Sequence, residues 1–423
     1  MSKQNQHKPK VPELRFPEFS GEWEEKKLND LGKYKKSYTF SRAKEGSGKY
    51  KHVHYGDIHT KLPSLIKEAS ILPSITEEKN FSVVEKGDLI FADASEDYED
   101  LGKATMVDFD DTNVVSGLHT HLFRPSENII SRFLIYYTET ERYKRHIKRE
   151  GNGISVLGIS KTNLGKLKTF LPSMQEQQKI GNFFSKLDRQ IALQEKKLAL
   201  LEEQKKGYMQ KIFSQELRFK DENGNEYPKW KEANLEAVLK MKEGLRRGPF
   251  GGALKKEIFI EEGYAVYEQA NAIYDNQTFR YFIDENKFNE MKNFSVKADD
   301  IIMSCSGTIG KLSLIPKNYK EGIINQALIR FRVSEKLNSL YFLYYMKSGM
   351  MQRKILKSNP GSAIVNLIPV KDLKKINLKV PSIEEQEKIS NFLHNLDSLL
   401  AKKILKIKMM KNRKDSFLQK MFL

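Results

Sequence analysis

Two stretches of this 423-residue chain come close to a phosphate-binding loop, and both fail on chemistry. Such a loop, GxxxxGK[ST], needs a leading glycine for its turn, a lysine for the phosphates and a small hydroxyl for Mg²⁺. "GSGKY" offers Gly48 and Lys49, but Ala43 stands where the first glycine belongs and Tyr50 where Ser or Thr belongs. "SGTIGKL" offers Gly310 and Lys311, with Cys305 and Leu312 in those two places. The sequence holds no HExxH, no GxSxG, no Asn-Pro-Pro-aromatic motif and no acid–acid–lysine nuclease cluster. The acidic run Asp93–Asp111 reads as a solvated loop or a surface that repels the wrong DNA, not as a metal site. Five of eight histidines lie between His52 and His121, without the cysteine or carboxylate spacing of a zinc site. They are expected to be exposed and to hydrogen-bond bases or phosphates. The single cysteine, Cys305, excludes an intrachain disulfide framework and fits a reducing compartment. No catalytic residue and no metal ligand is therefore expected on this chain.

What the residues do suit is a polyanion. The formal net charge is +18 and the isoelectric point about 9.4. Charge alone does not separate DNA from RNA or anionic lipid. Basic residues cluster at Arg142, Lys144, Arg145, Lys148 and Arg149, at Lys161, Lys166 and Lys168, and at Arg246 and Arg247 in "RRGPFGG". Polar and aromatic residues interleave with such cations. The nucleic-acid candidates in the first half are Lys49, Lys51, His52, His54, Tyr55, His119, His121, Arg145, Arg149 and Lys161. In the second half they are Arg246, Arg247, Tyr267, Gln269, Asn271, Ser304, Ser306, Lys311, Asn325 and Gln326. Lys and Arg position a phosphate backbone, whereas amides and imidazoles can read base edges.

The elements that must carry these residues occur twice. ELRF at Glu13–Phe16 recurs at Glu216–Phe219, and each copy leads to a tryptophan, Trp23 and Trp230. "KGDLIFADASEDYEDLGKATMV" from Lys86 is matched by "KADDIIMSCSGTIGKLSLI" from Lys297. PSMQEQQKIGNFFSKLD, Pro172–Asp188, is matched by PSIEEQEKISNFLHNLD, Pro381–Asp397, at an offset of 209 that holds to the chain end. So long a period means a duplicated unit rather than a solenoid. The copies differ in charge: residues 1–214 carry 36 basic and 30 acidic side chains, the remainder 37 and 25.

After each PS motif the apolar positions advance by alternating steps of four and three. One seam runs through Ile180, Phe184, Leu187, Ile191, Leu198 and Leu201, the other through Ile389, Leu393, Leu396, Leu400, Ile407 and Met410. A sustained seven-residue repeat predicts a coiled coil, with the two helices pairing with each other. Both seams carry polar residues at the same steps, Gln194 and Lys403, then Lys205 and Lys414. Pro172 and Pro381 are expected to open the helices, with acids in the first turn. A helix of about 40 residues spans ~60 Å and would act as a ruler.

The expected class is α+β: two tandem mixed α/β domains joined by two long coiled-coil helices. The boundaries are an N-terminal segment 1–21, a first domain 22–171, a helix 172–214, a linker 215–228, a second domain 229–380 and a helix 381–423. Single helices are expected over Ile129–Lys148 and Leu337–Leu356, and Gly-rich turns at "GNG" (151–153) and "NPGS" (359–362). With a mean hydropathy of −0.59 no membrane span is expected. The N-terminus lacks the apolar stretch of a signal peptide.

Two divergent domains, each followed by a P-S-x-x-E-Q-x-K-I…N-F-F/L-x-x-L-D helix, resemble the specificity subunit of type I restriction–modification systems. The resemblance runs from about Pro12 to Leu423, and the duplicated EQ…LD helix is its most specific part. It implies a non-catalytic, cytoplasmic, sequence-specific DNA-binding subunit. Each target-recognition domain would read one half of a bipartite site, and the two long helices, which the resemblance implies are antiparallel, would set the spacer. The implied partners are double-stranded DNA, two modification subunits that bind S-adenosylmethionine, and restriction subunits that use ATP and Mg²⁺. No cofactor is implied on this chain. The rival readings from residues alone are a self-contained methyltransferase or nuclease, and a protein-only coiled-coil scaffold.

Overall fold

The computed structural model describes residues 10–110, 113–250, 252–358, 365–367 and 369–423. The "NPGS" turn at 359–362 lies outside them. Six helices bear on the site: α1 (Ser131–Tyr137), α2 (Glu141–Glu150), α3 (Met174–Ser214), α4 (Ser339–Lys347), α5 (Gly349–Ile355) and α6 (Ile383–Met421). The chain divides into two units, residues 1–196 with 404–423 and residues 197–403. Each unit thus contains one globular domain, half of α3 and half of α6.

In the first unit a five-stranded sheet runs in the order Gly32–Lys35, Thr120–Pro125, Leu89–Ala92, Ala104–Val107, Leu65–Ile66. Its central strand, LIFA, is apolar throughout because both of its faces are buried. In the second unit a four-stranded antiparallel sheet has the order Leu245–Arg247, Leu328–Phe331, Ile301–Ser304, Leu312–Leu314. A three-stranded sheet accompanies it, Phe282–Ile283, Tyr264–Tyr267, Gly322–Ile324, the last pair parallel. Each domain is closed by an antiparallel ribbon between its first and last strands, Glu24–Lys27 with Lys168–Leu171, and Lys231–Asn234 with Asn377–Val380.

The duplicated motifs meet inside each unit. Glu176 accepts two hydrogen bonds from the Arg15 guanidinium, 2.7 and 2.6 Å, and Glu385 two from Arg218, 3.2 and 2.7 Å. The arginine of ELRF therefore neutralises the buried glutamate of the EQ pair. Bidentate, charge-assisted bonding is the strong form of such a contact. The adjacent glutamines cap the domain helices: Gln177 accepts from Ile130 N and Gln386 from Asn338 N. Residues 215–228, expected as a linker, are thereby tied down, with Leu217 and Phe219 packed on the core of the second unit. Apolar ELRF residues need a surface to cover, and the second unit supplies one.

Two further expectations change. The helices begin two residues after each proline, with Ser173 and Ser382 as caps whose hydroxyls accept from Glu176 N and Glu385 N. Ser is the better N-cap because its oxygen satisfies an orphan amide. The segments 129–148 and 337–356 are each two helices, not one. Thr140 accepts from Tyr143 N and Ser348 from Met351 N, each starting a second helix. These hydroxyls also donate back to Tyr137 O and Tyr345 O, which closes off the first helix.

The long helices run antiparallel within each unit. In the first, Phe183 meets Phe417 at 5.2 Å, and Lys411 pairs with Glu195 at 2.7 Å. In the second, Tyr208 meets Phe392 at 5.1 Å and Lys205 pairs with Asp397. Of the seam residues, Ile180, Phe184, Ile191, Leu201, Ile389, Leu393 and Ile407 are buried, while Leu187, Leu198, Leu396, Leu400 and Met410 are half-buried. Among the described residues no helix is long and apolar enough to cross a membrane.

Candidate nucleic-acid interface

Five basic side chains of the first unit, Arg142, Arg145, Arg149, Lys166 and Lys168, converge on one cleft, while Lys144 lines a different pocket. Thr140 starts α2, and the sequence ERYKRHIKRE then buries Tyr143, His146 and Ile147. Arg142, Arg145 and Arg149 follow at helical spacing and line the mouth of the cleft. Lys166 and Lys168 complete it from the turn and strand that follow the short helix Lys161–Gly165. The cleft holds about 490 Å³. His146 Nε2 lies 2.9 Å from Asn163 O and fastens α2 to that turn. Burial holds the His146 imidazole below its ordinary range. Compensation is partial: Glu150 serves both Arg149 (3.0 Å) and Lys166 (3.5 Å), and Glu25 serves Lys168 (2.7 Å). Arg142 lies over the Phe170 ring at 4.6 Å. Arg145 is exposed, and its Nε donates to Glu141 O. Several cations with few carboxylates suit successive phosphates.

In the second unit three loops form one rim. Gly248 approaches so closely that a Cβ there would fall 1.8 Å from Asn325 O, which requires glycine. Cys305 N donates to Ala327 O, and Arg247 reaches the Cys305 thiol, which burial pushes up. Gly307 packs against Gln269, whose Oε1 is buried without a hydrogen-bond partner among the described residues. The rim thus gathers Arg246, Arg247, Gln269, Ser306, Lys311, Asn325 and Gln326. Arg247, Ser306, Lys311 and Gln326 are exposed, and Asn325 Oδ1 is occupied by Ala327 N.

Several expected contact residues are instead structural. His52, His54 and His121 are buried, not exposed. His52, 0% exposed, pairs with Glu45; His54 Nδ1 accepts from Gly56 N and caps a short helix; His121 Nε2 lies 2.8 Å from Ile159 O. Burial lowers all three imidazoles from the ordinary histidine range. Tyr267, Asn271 and Ser304 are corrected likewise: their side chains bond Lys320 O, the 276–278 turn and Thr308 O. All three are buried, which residue type alone could not reveal. Lys51 is half-buried and donates to Leu72 O. Tyr55 is half-buried against His54, His59 and His119. Lys49, His119 and Lys161 remain exposed. Of the seven acids at 93–110, three pair with a lysine or arginine: Asp100 with Lys103, Asp108 with Arg132 and Asp110 with Lys86. Among the described residues no group of His, Cys, Asp and Glu could hold a metal ion.

Two apolar side chains escape a reading by charge and polarity. Ile154 is 100% exposed at the tip of a tongue held by reciprocal bonds between Asn152 and Gly158, 2.9 and 2.7 Å. Phe250 is 95% exposed in the loop that follows Arg247. The available signal is an isolated large hydrophobe inside a glycine-rich, basic loop.

Comparison with known proteins places this arrangement. The model of the type I restriction modification DNA specificity domain matches residues 20–203 and again 229–409. A protein assigned as the type I restriction enzyme MjaX specificity subunit of Methanocaldococcus jannaschii is 25% identical over 327 residues, 74% of this chain and 72% of its own length. The type I restriction–modification S subunit of M. genitalium has the same fold, with a TM-score of 0.56 at 16% identity over 98% of this chain and 99% of that one. A chain solved in work on complex assembly and conformational transition of the type I R-M system gives 0.60 at 16% identity, over 95% and 97%. With both globular halves matched by the family model, this chain belongs to the type I restriction–modification DNA specificity family.

Proposed function

We infer that this chain reads DNA sequence for a type I restriction–modification assembly and is not itself an enzyme. Each domain reads one half of a bipartite target in double-stranded DNA, and the helix pair sets the spacer. One observation carries this reading. The same scaffold is present twice with its motifs intact, while the loops it presents differ in residue type. Two unlike reading heads on one scaffold suit an asymmetric target. The cleft of Arg142, Arg145, Arg149, Lys166 and Lys168 would hold backbone phosphates beside the first head. Arg247, Lys311, Ser306 and Gln326 would serve the second, the amide and hydroxyl offering base-edge contacts. Ile154 and Phe250 suit stacking on, or wedging into, base steps.

Adenine methylation and DNA cleavage belong, on this reading, to partners: two modification subunits with S-adenosylmethionine, and restriction subunits with ATP and Mg²⁺. This chain would carry no cofactor and would work in the cytoplasm, where its DNA is. Single-molecule methylation sequencing tests it, comparing cells that express this chain and its modification partner with cells lacking this chain. The expected result is a new methyladenine motif of two short defined halves with a fixed gap. An unchanged methylome with the complex assembled would overturn the reading.

A further inference from the structure

The duplication also copied a pocket, and the copies carry opposite charge. In the second unit α3 packs beside the α4–α5 junction and leaves a pocket of about 650 Å³. Its cationic lining is Lys205, Lys206, Lys347 and Arg353, against one lining carboxylate among the described residues, Glu202. Phe213 and Met350 give it an apolar side. The corresponding pocket of the first unit, about 450 Å³, lies beside the α1–α2 junction and the end of α6. Four carboxylates line it, Glu99, Asp100, Glu139 and Asp415, against three lysines.

The correspondence is residue by residue. The helix offset of 209 equates Lys206 with Asp415 and Lys205 with Lys414. The offset of 208 that equates Tyr136 with Tyr344 equates Glu139 with Lys347. The seam lysine is retained in both copies, and the two flanking positions exchange acid for base. Lys414 has Glu139 and Asp188 beside it, at 2.8 and 2.7 Å. Lys205 has Asp397 beside it and shares its pocket with Lys347, which stands where the first unit has Glu139. The Lys347 ammonium is held below its ordinary range by burial and by Lys205, against the pull of Asp275 and Asp397. The pocket lining itself holds four cations against one carboxylate, with Asp397 engaging Lys205 from outside that lining. A solvated lysine face would spread its cations instead.

We propose that the pocket between α3 and the α4–α5 junction of the second unit binds a polyphosphate anion, free or as the phosphate tail of a nucleotide, and that its counterpart in the first unit does not. Four cations around one concavity match a di- or triphosphate, because charge-assisted bonds to phosphate oxygens are the strong ones. The apolar side formed by Phe213 and Met350 is placed to cover a base.

The test is calorimetric titration of sodium tripolyphosphate, and separately of ATP without metal, into the full chain at physiological ionic strength. The variant is Lys206→Asp with Lys347→Glu, which installs the residues the first unit already carries at those positions. The expected result is a loss of tripolyphosphate affinity of about tenfold or more, from removing two cations and adding two like charges. Because the arginine cleft of the first unit also suits phosphate, both chains carry Arg145→Ala with Arg149→Ala, so that the titration reads the second unit's pocket. Tighter binding of ATP than of tripolyphosphate would add the base to the site, and equal binding would limit it to the phosphates. Equal affinity in the charge-swapped chain overturns the proposal, as does loss of duplex DNA binding with tripolyphosphate binding intact. The reverse exchange, Glu139→Lys with Asp415→Lys, is expected to create a second site. It keeps the proposal testable if the first variant folds poorly.

Discussion

Lys414 Nζ lies 2.7 Å from Asp188, whose other oxygen accepts from the Tyr136 hydroxyl at 2.8 Å. The second unit repeats the triad with Lys205, Asp397 and Tyr344, the last bond 2.6 Å. Both lysines sit at the same polar step of the seven-residue repeat, and both aspartates end the duplicated LD. The lysine on one long helix therefore finds the aspartate of the other, and a domain tyrosine joins them. A polar pair at one step of an apolar seam fixes register, since a slip would bury both charges alone.

Replacing Lys414 by Met should leave Asp188 and Glu139 facing each other without a cation. We expect a loss of about 2–4 kcal/mol, read as a shifted urea midpoint. Asp188→Asn keeps a hydrogen-bond acceptor for Tyr136 and leaves Glu139 with Lys414, so it should cost less. Equal costs would mean that the pair does not act as a charge pair.

The two tryptophans should respond differently. Trp230 Nε1 donates to Glu385 at 2.9 Å, whereas Trp23 Nε1 is buried without a partner among the described residues. Trp→Phe removes the donor at both sites and shrinks the ring equally. Trp230→Phe should therefore destabilise by about 1.5–3 kcal/mol more than Trp23→Phe, the usual worth of a hydrogen bond to a charged group. Chemical denaturation followed by hydrogen exchange of each unit would resolve the two.

Acid should weaken the first unit before the second. Burial lowers the imidazoles of His52, His54, His121 and His146 in the folded state. The unfolded chain then binds more protons than the folded one as pH falls below the ordinary histidine range. Stability is present above about pH 6.5 and is lost as pH falls through the lowered folded values. The second unit's one histidine, His394, is exposed on α6. Scanning calorimetry at descending pH should show the first unit's transition moving down while the second holds. Parallel movement of both would contradict this account.

Phosphate binding and base binding should separate by salt. Arg145→Ala with Arg149→Ala should weaken binding of the assembled complex to any duplex and reduce the slope of log K against log salt by about 0.9 for each phosphate no longer neutralised. Phe250→Ala removes area and no charge. It should weaken binding to the cognate target about 5–100-fold, the range expected for one stacked base, and leave the slope unchanged. A slope change with Phe250→Ala would place that loop away from the bases.

The duplication, the two long helices and their seven-residue seam were legible because period and offset survive in a linear string; their antiparallel pairing was implied only by the family resemblance. ELRF, the EQ pair and LD could be found as repeats, since the same contact made twice calls for the same residues twice. Their roles could not be found that way. That Arg15 reaches Glu176, and Lys414 reaches Asp188, depends on chain closure across well over a hundred residues. Helix breaks at Thr140 and Ser348 hid inside aromatic-rich runs, because a hydroxyl caps only where its backbone turns. The candidate interface was half legible. Arg145, Arg149, Arg246 and Arg247 announce themselves by charge, which must stay near solvent. His52, Asn271 and Tyr267 carry the same polar chemistry but were drawn into cores by the strands and turns they complete. Only the tertiary structure decides between those fates, because burial is a property of what packs over a side chain, not of the side chain itself.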